Sequence, residues 1–336
     1  MSRVSLQFQC QSLELKKINK TKMNTVMLYP NENEKAIYNY SKDLIKETKV
    51  EGIPFKRSFL WFPILYGKSI HIQHEYNLLG GYGIPFLLLL PITWLFNKKI
   101  ILTMHTVQSK RKHGFIRRTF YSIANFIIKH TAKNIIVHSQ VFKDILIIDY
   151  GFNEENIFVI RHGVKEVPKF DKNKIKKELG LKGKVSLIIG TFHPDHQPHL
   201  AIEKVNELDG TLLIVWNSNK GLKIQQYFYK SMEDAYMNDK IDYTISNPKI
   251  VTIDLAKEHK DKWWEFFYAA DNVILNYIDG IGSGIFQDAM ATRTPVICSN
   301  TKYFREMLKD FTTCDAYAKK YSVKNMAKKT LEVYNQ

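Results

Sequence analysis

The sequence predicts an α/β protein made of two doubly wound, Rossmann-like domains that face one another across a cleft. Three observations carry this expectation. Short apolar runs alternate with longer helical stretches from Met23 to Val164, the pattern of parallel strands covered by helices on both faces. After His162 and Gly163 the stretch KEVPKFDKNK is charged, holds a proline and lacks apolar periodicity, so it reads as a linker, beyond which the alternation starts afresh. A chain of 336 residues exceeds what one hydrophobic core usually supports, and an apolar content of 45% supplies two cores.

Residues 1–22 form an N-terminal extension, because they contain no continuous apolar run and so are not a secretory signal. Met23 offers a second start. In the first domain, 23–163, strands are expected at Thr25–Tyr29, Ser69–Gln73, Lys99–Met104, Asn134–His138 and Ile157–Ile160. Helices fit between them at Glu34–Glu47, Ile84–Phe96, Ile116–Thr131 and Gln140–Asp149, with Gly151 as the C-cap of the last. The run IPFLLLLPITWLF from Ile84 to Phe96 is too short to span a bilayer and reads as a buried helix, with an interfacial membrane contact as the alternative. In the second domain, 164–320, strands are expected at Val185–Ile189, Thr211–Trp216, Lys249–Ile253, Asn272–Asn276 and Pro295–Cys298. Its helices are expected at His199–Leu208, Leu222–Tyr236, Lys260–Ala270, Gly284–Ala291 and Lys302–Leu308, and Ser322–Tyr334 forms one more amphipathic helix.

The 49 Lys and Arg against 33 Asp and Glu give a net charge of +16, which draws the chain toward phosphorylated substrates, an anionic membrane surface or nucleic acid. A solvated lysine surface is the competing account. No named nucleic-acid module appears, so nucleic acid is not expected as a partner. Cys10, Cys298 and Cys314 lie far apart without metal-ligand spacing, which argues for a reducing, cytoplasmic setting.

The segment IDGIGSGIFQDAMATRTPVICSN, Ile278–Asn300, places a Gly-Ser-Gly turn at a helix start and ends in an apolar strand. Amides at a helix N-terminus and the positive end of its dipole hold phosphate oxygens, and the small residues Gly282, Ser283 and Gly284 let a diphosphate approach that backbone. Asp288, one turn further in, reaches toward a sugar hydroxyl of the same ligand. Doubly wound sheets bind ligands at the carboxyl ends of their strands, where this chain carries histidines: His71 and His74, His105, His138, His162, and His193 with His196. The triple spacing in HPDHQPH raises a zinc site, but its prolines break the helix that would put the imidazoles on one face, so no metal is expected. The preferred reading is that imidazoles, Arg161 and backbone amides neutralise a leaving diphosphate without a required cofactor.

The series IHIQHEYNLLGGYG, TMHTV, IIVHSQ, RHGV, WWEFFYAADNVILNY and SGIFQDAMATRTPVICSNTKYFRE resembles the retaining glycosyltransferases of family 4, which have the GT-B fold. The resemblance implies transfer of a sugar from a UDP- or GDP-linked donor to a glycan, lipid or other acceptor, with retention at the anomeric carbon. It implies that the second domain holds the nucleotide, that the first presents the acceptor, and that 321–336 cross back to the first domain. His105 matches the family's histidine near the donor sugar, and Asp288 before Ala289, Met290 and Ala291 matches the second carboxylate of its paired motif, implied to hold the ribose. Glu306 matches a further carboxylate on the donor side, and His74 and Glu75 fall on the acceptor side. The chain departs from the pattern where Gly280 replaces the first carboxylate and where His193 and His196 replace a basic pair, so a GT-B protein that binds nucleotide sugar without turnover is the alternative. A sugar-nucleotide epimerase ranks third. The basic run Lys110, Arg111, Lys112, Arg117 and Arg118 suggests an anionic acceptor or peripheral contact with the cytoplasmic face of a membrane.

Overall fold

A computed structural model of the chain describes residues 25–32, 35–55, 67–76, 84–96, 98–190, 196, 200–201, 207, 209–216, 248–255, 259, 261–278, 282–309 and 311–336. The first half runs β1 (Thr25–Tyr29), α1 (Lys35–Thr48), β2 (Glu51–Pro54), β3 (Ser69–His74), α2 (Ile84–Leu95), β4 (Lys99–Met104), α3 (Phe115–Thr131), β5 (Asn134–Val137), α4 (Gln140–Tyr150) and β6 (Ile157–Val159). Its six strands are all parallel, in the order β2-β1-β3-β4-β5-β6. Strands β1 and β3 are buried along their whole length, as a sheet covered on both faces requires.

The crossovers from β3 through β6 move one way along the sheet and that from β1 to β2 moves the other. Right-handed crossovers therefore put α2, α3 and α4 on one face and α1 on the opposite one. The two cores follow. Leu89, Leu90, Ala124, Ile128, Phe142 and Leu146 pack on one side of the sheet, while Tyr40 and Leu44 of α1 pack on the other.

The second half contains α5 (Lys172–Glu178), β7 (Lys184–Ile189), β8 (Gly210–Trp216), β9 (Ile250–Asp254), α6 (Trp263–Ala269), β10 (Asn272–Leu275), α7 (Gly284–Thr292), β11 (Val296–Cys298), α8 (Lys302–Leu308), α9 (Cys314–Lys320) and α10 (Val323–Tyr334). Its five strands are parallel in the order β11-β10-β7-β8-β9. Phe266, Phe267, Phe286, Met290 and Phe304 fill its core.

Helix α10 packs on the first sheet, placing Met326, Ala327 and Val333 against Met27, Ile101 and Ile136. Its last carbonyls are held by side chains of the first half: Lys99 Nζ donates to Tyr334 O at 3.0 Å and Asn134 Nδ2 to Val333 O at 3.2 Å. Cationic and amide donors at a helix C-terminus satisfy its orphan carbonyls and complement its dipole. Where the chain turns back, Gly163 lies so close to α10 that a Cβ there would stand 2.7 Å from Val323 Cα.

Several elements differ from expectation. Strand β2, EGIP, carries no alternating pattern and pairs only with β1 as an edge strand, the one place in a sheet where its proline is tolerated. Helix α5 occupies the end of the expected linker, because Asp171 accepts from the amides of Asn173 and Lys174 and Lys172 and Lys176 both reach Asp271. Helix α9, capped by Thr313, was not anticipated. The run Ile84–Phe96 is buried on one face only: Leu87, Leu89 and Leu90 are inside, while Leu88, Trp94, Leu95 and Phe96 are exposed. The expected helix Leu222–Tyr236 lies outside the described residues, as does most of His199–Leu208.

Candidate active site

Strand order locates the site. In the first sheet the order reverses between β1 and β3, and in the second between β7 and β10. Ligands bind at the carboxyl edge of such switch points, where diverging loops leave a crevice. The loops concerned are those after β3, with His74 and Glu75, after β7, with Gly190 and His196, and after β10, leading to Gly282 and α7.

Ser283 is the N-cap of α7, its Oγ accepting from Phe286 N at 3.2 Å and contacting Tyr277 Oη at 3.1 Å. The amide of Ser283 is itself spent, donating to Tyr303 Oη at 3.2 Å. Of the amides at this helix start, that of Ser283 is therefore not available to a ligand. Gly284 and Ile285 are the first-turn amides without an acceptor among the described residues, and Gly284 has open space where a Cβ would stand. His196 stacks on Tyr277 with ring centroids 4.3 Å apart, which sets this imidazole beside the same cap. Gly190, at φ +121, packs against Ile285 in a backbone conformation that only glycine adopts readily. Replacement of Ser283 by alanine is expected to lower stability by about 1 kcal/mol through loss of the cap. An unchanged midpoint of thermal unfolding would mean that the hydroxyl does not hold the turn.

Asp288 is half-buried on α7, with Oδ2 accepting from Trp263 Nε1 at 3.1 Å. Burial raises its pKa to about 6, against the opposing pull of Lys165 and of the Trp263 hydrogen bond.

Across the cleft the histidines form one buried chain. His71 lies inside β3 and not in a loop, with Nδ1 2.7 Å from Tyr334 Oη of α10 and Nε2 2.7 Å from Thr103 Oγ1. Gln73 contacts His71 Nε2 at 3.4 Å and His105 Nε2 at 2.9 Å. His105 Nδ1 is 3.3 Å from His138 Nε2, and His138 Nδ1 donates to Ile160 O at 2.9 Å. Tyr40 packs edge-on against the His105 ring, with centroids 4.7 Å apart, and lies beside His138 and His162 as well. Burial pushes the pKa of His71, His74 and His162 down to about 3 and that of His138 to about 4, and burial with the neighbouring His138 holds that of His105 well below the ordinary imidazole value. All are neutral at pH 7, so these imidazoles contribute hydrogen bonds and not positive charge.

Neutrality constrains the tautomers. With the His138 Nδ1 proton on the carbonyl of Ile160, His138 Nε2 is an acceptor and the shared proton belongs to His105 Nδ1. His105 Nε2 is then an acceptor as well, so the Gln73 carboxamide turns its NH2 group toward His105 and its oxygen toward His71 Nε2.

The remaining expected residues are distributed. His74 is 1% exposed, packs on Tyr76 and offers no open face to an acceptor, whereas Glu75 is half-buried and accepts from Thr106 Oγ1 at 2.5 Å. Arg161 stacks over Tyr321 and donates to Glu306 O at 2.9 Å, with its Nη1 buried and unpaired among the described residues. Both oxygens of Glu306 are engaged by the first domain, accepting from Gln140 N at 2.8 Å and Val141 N at 3.2 Å at the start of α4. His193 and Gly280 lie outside the described residues. Among the described residues no group of three or more His, Cys, Asp or Glu is placed to hold a metal ion. Gln73, Gly190, Tyr277 and Tyr303 were missed by sequence reasoning. The two-residue spacing of His71 and Gln73 on one strand was a readable signal for the first, and a glycine directly after β7 for the second.

The two sides meet. A Cβ on Gly282 would stand 3.8 Å from the carbonyl oxygen of His105, so the loop feeding α7 faces the end of β4 across the cleft.

Residues 25–166 match Glycosyltransferase Family 4. Anabaena HepE, solved with UDP and glucose, shares 13% identity at a TM-score of 0.68, covering 93% of this chain and 99% of its own. Sucrose-phosphate synthase from Thermosynechococcus elongatus shares 13% identity at a TM-score of 0.58 over 93% of this chain and 98% of its own. The lipopolysaccharide outer core galactosyltransferase WaaB shares 10% at 0.53 over 92% and 98%. No curated protein sequence matches. The match to Glycosyltransferase Family 4 thus covers the first domain, and the two Rossmann-like parallel sheets give the whole chain the GT-B fold of these solved structures.

Proposed function

We propose that the chain is a retaining, metal-independent transferase that moves a sugar from a UDP- or GDP-linked donor to a glycan or lipid-linked acceptor. The observation that carries the reading is the approach of Gly282 to the His105 carbonyl. It brings the residue before the α7 cap to the end of β4, and in this reading a diphosphate is held on the open first-turn amides of α7. The amides of Gly284 and Ile285, with the dipole of α7, stabilise charge on the departing diphosphate. Arg161 adds positive potential from the domain junction, and His196, stacked on Tyr277, stands beside the cap of α7. Asp288 holds the ribose, and His105 orients the reacting sugar. Glu75 is the acceptor-side residue, with His74 behind it. In this reading 23–163 with 321–336 form the acceptor domain and 164–320 the donor domain.

The test is incubation with UDP- and GDP-sugars while nucleotide release is followed, with Asp288→Ala and His105→Ala as controls and the anomeric configuration of the product read by NMR. Unchanged turnover in both variants removes the site assignment, and an inverted product removes retention. Gly280 in place of a carboxylate, and a His105 ring whose nitrogens are both held internally, favour a second reading, donor binding without turnover. Saturable donor binding with no nucleotide release in any acceptor mixture would establish it.

Donor affinity is expected to rise with pH. Asp288 keeps its proton up to about pH 6, and only the carboxylate accepts from both ribose hydroxyls, so Kd falls as pH rises through about 6. The same raised pKa favours the protonated folded chain. Its contribution to stability is present at pH below about 4 and is lost as pH rises through about 6. Calorimetric titration of UDP between pH 5 and 7.5, roughly bracketing that value, checks this, with Asp288→Asn expected to flatten the profile. A flat profile in the unsubstituted chain would sink the ribose assignment.

A further inference from the structure

We infer that the outer face of α2 and α3 docks the protein on an anionic lipid bilayer. This deepens the reading of a lipid-linked acceptor, yet it is tested by binding alone, so its failure and the failure of the transferase reading are separable.

Large exposed apolar side chains are concentrated on this face. Of thirteen among the described residues, Leu88, Trp94, Leu95 and Phe96 belong to α2 and its end, and Phe115, Ile116, Ile123 and Phe126 to α3. The two helices are neighbours on one face of the first sheet, whose inner sides are already buried in the core. On α3, Ile116, Ile123 and Phe126 recur at helical spacing, so they form a stripe along a 17-residue helix roughly 25 Å long. Phe115 and Ile116 are 82% and 83% exposed, which a free aqueous surface does nothing to reward.

The charges say what covers the stripe. The first turn of α3 reads FIRRT, is exposed throughout and contains no acidic residue, with Lys110, Arg111 and Lys112 just before it. Cations at a helix N-terminus oppose its dipole, and Gly114 brings no side-chain cap to the amides there. Both features are unfavourable for the isolated fold and favourable against lipid phosphates. Arg side chains extend their stems along apolar surface while the guanidinium stays at the headgroups, and each juxtamembrane cation contributes attraction to an anionic leaflet. A second copy of the chain fits less well, because it carries the same excess of positive charge, +16, and brings no anionic partner for this face. No described helix is long and apolar enough to cross a membrane, so the contact is interfacial.

The placement serves the site. Helix α3 follows β4, so its N-terminal turn lies at the carboxyl edge of the sheet, the edge that carries His105. An acceptor held in the bilayer by its lipid thus reaches the cleft without leaving the membrane.

The experiment is flotation of the full chain with vesicles of phosphatidylcholine plus phosphatidylglycerol against phosphatidylcholine alone. The unsubstituted chain is expected to float only with the anionic vesicles. Two double variants, Phe115→Ser with Ile116→Ser and Arg117→Glu with Arg118→Glu, are each expected to weaken binding by at least about 10-fold. Both pairs are solvent-exposed, and unchanged thermal unfolding confirms that the fold is intact. Equal flotation on neutral and anionic vesicles, no flotation at all, or binding indifferent to both variants overturns the proposal. A chain that is dimeric by light scattering, becomes monomeric in the Phe115→Ser, Ile116→Ser variant and ignores vesicles assigns the face to a second copy and likewise overturns it.

Discussion

Replacing His105 by alanine is expected to lower kcat by about 10² to 10⁴-fold while leaving donor Kd nearly unchanged. His105 stands at the end of β4 with its carbonyl facing the Gly282 loop, and its ring is the central member of the chain from Tyr334 to Ile160. Removal of the ring strips Gln73 and His138 Nε2 of a partner in a buried setting, at about 1–3 kcal/mol for each unsatisfied group. The variant is therefore less stable as well as slower. The two effects are separated by measuring kcat well below the midpoint of unfolding, and His105→Asn, which restores one hydrogen bond, is expected to recover stability before it recovers rate. Turnover equal to that of the unsubstituted chain would end the role of His105 at the reaction centre.

The second large effect is at the domain junction. Glu306→Ala is expected to destabilise the chain by about 2–4 kcal/mol in chemical denaturation, because both carboxylate oxygens accept amides at the start of α4 and the Arg161 guanidinium lies 4.0 Å away. Ser139 caps the next free amide of the same helix, that of Phe142, so Glu306 completes an N-terminus with a residue from the other domain. Glu306→Gln keeps an acceptor and loses the charge, so its loss is expected to be smaller. The resemblance to family 4 implies instead a donor-side carboxylate. Weakened UDP binding with unchanged stability in Glu306→Ala would favour that role, and lost stability with intact binding favours the junction.

Much of this was legible along the chain. Buried parallel strands such as SIHIQH and KIILTM have both faces covered, so they show as runs rather than as alternation, and their positions agree with expectation to within a residue or two at the ends. Caps were readable where a side chain makes them, as with Ser283 before α7 and Ser139 before α4. Strand β2 was not readable, because four residues with glycine and proline carry no period. Helix α5 was not, because a surface helix with Ile175 as its one buried residue looks like a charged linker. The half-exposed face of α2 was hidden for a different reason: a helix apolar all round has almost no amphipathic signal, so sequence gives no sign of which side meets the core.

What residue order alone determined is the pair of α/β domains, the return of the chain into a second alternation, and the Ser283-capped start of α7, since each is a local matter of periodicity, capping and small residues. Only tertiary structure decided which polar groups remain available there. Ser283 lost its amide to Tyr303, Glu306 was drawn to the start of α4, and His71 was tied to Tyr334 some 263 positions away. Hydrogen-bond capacity is finite, and burial makes a leftover donor or acceptor costly, so a residue's use is settled by whichever partner the fold brings within about 3 Å of it.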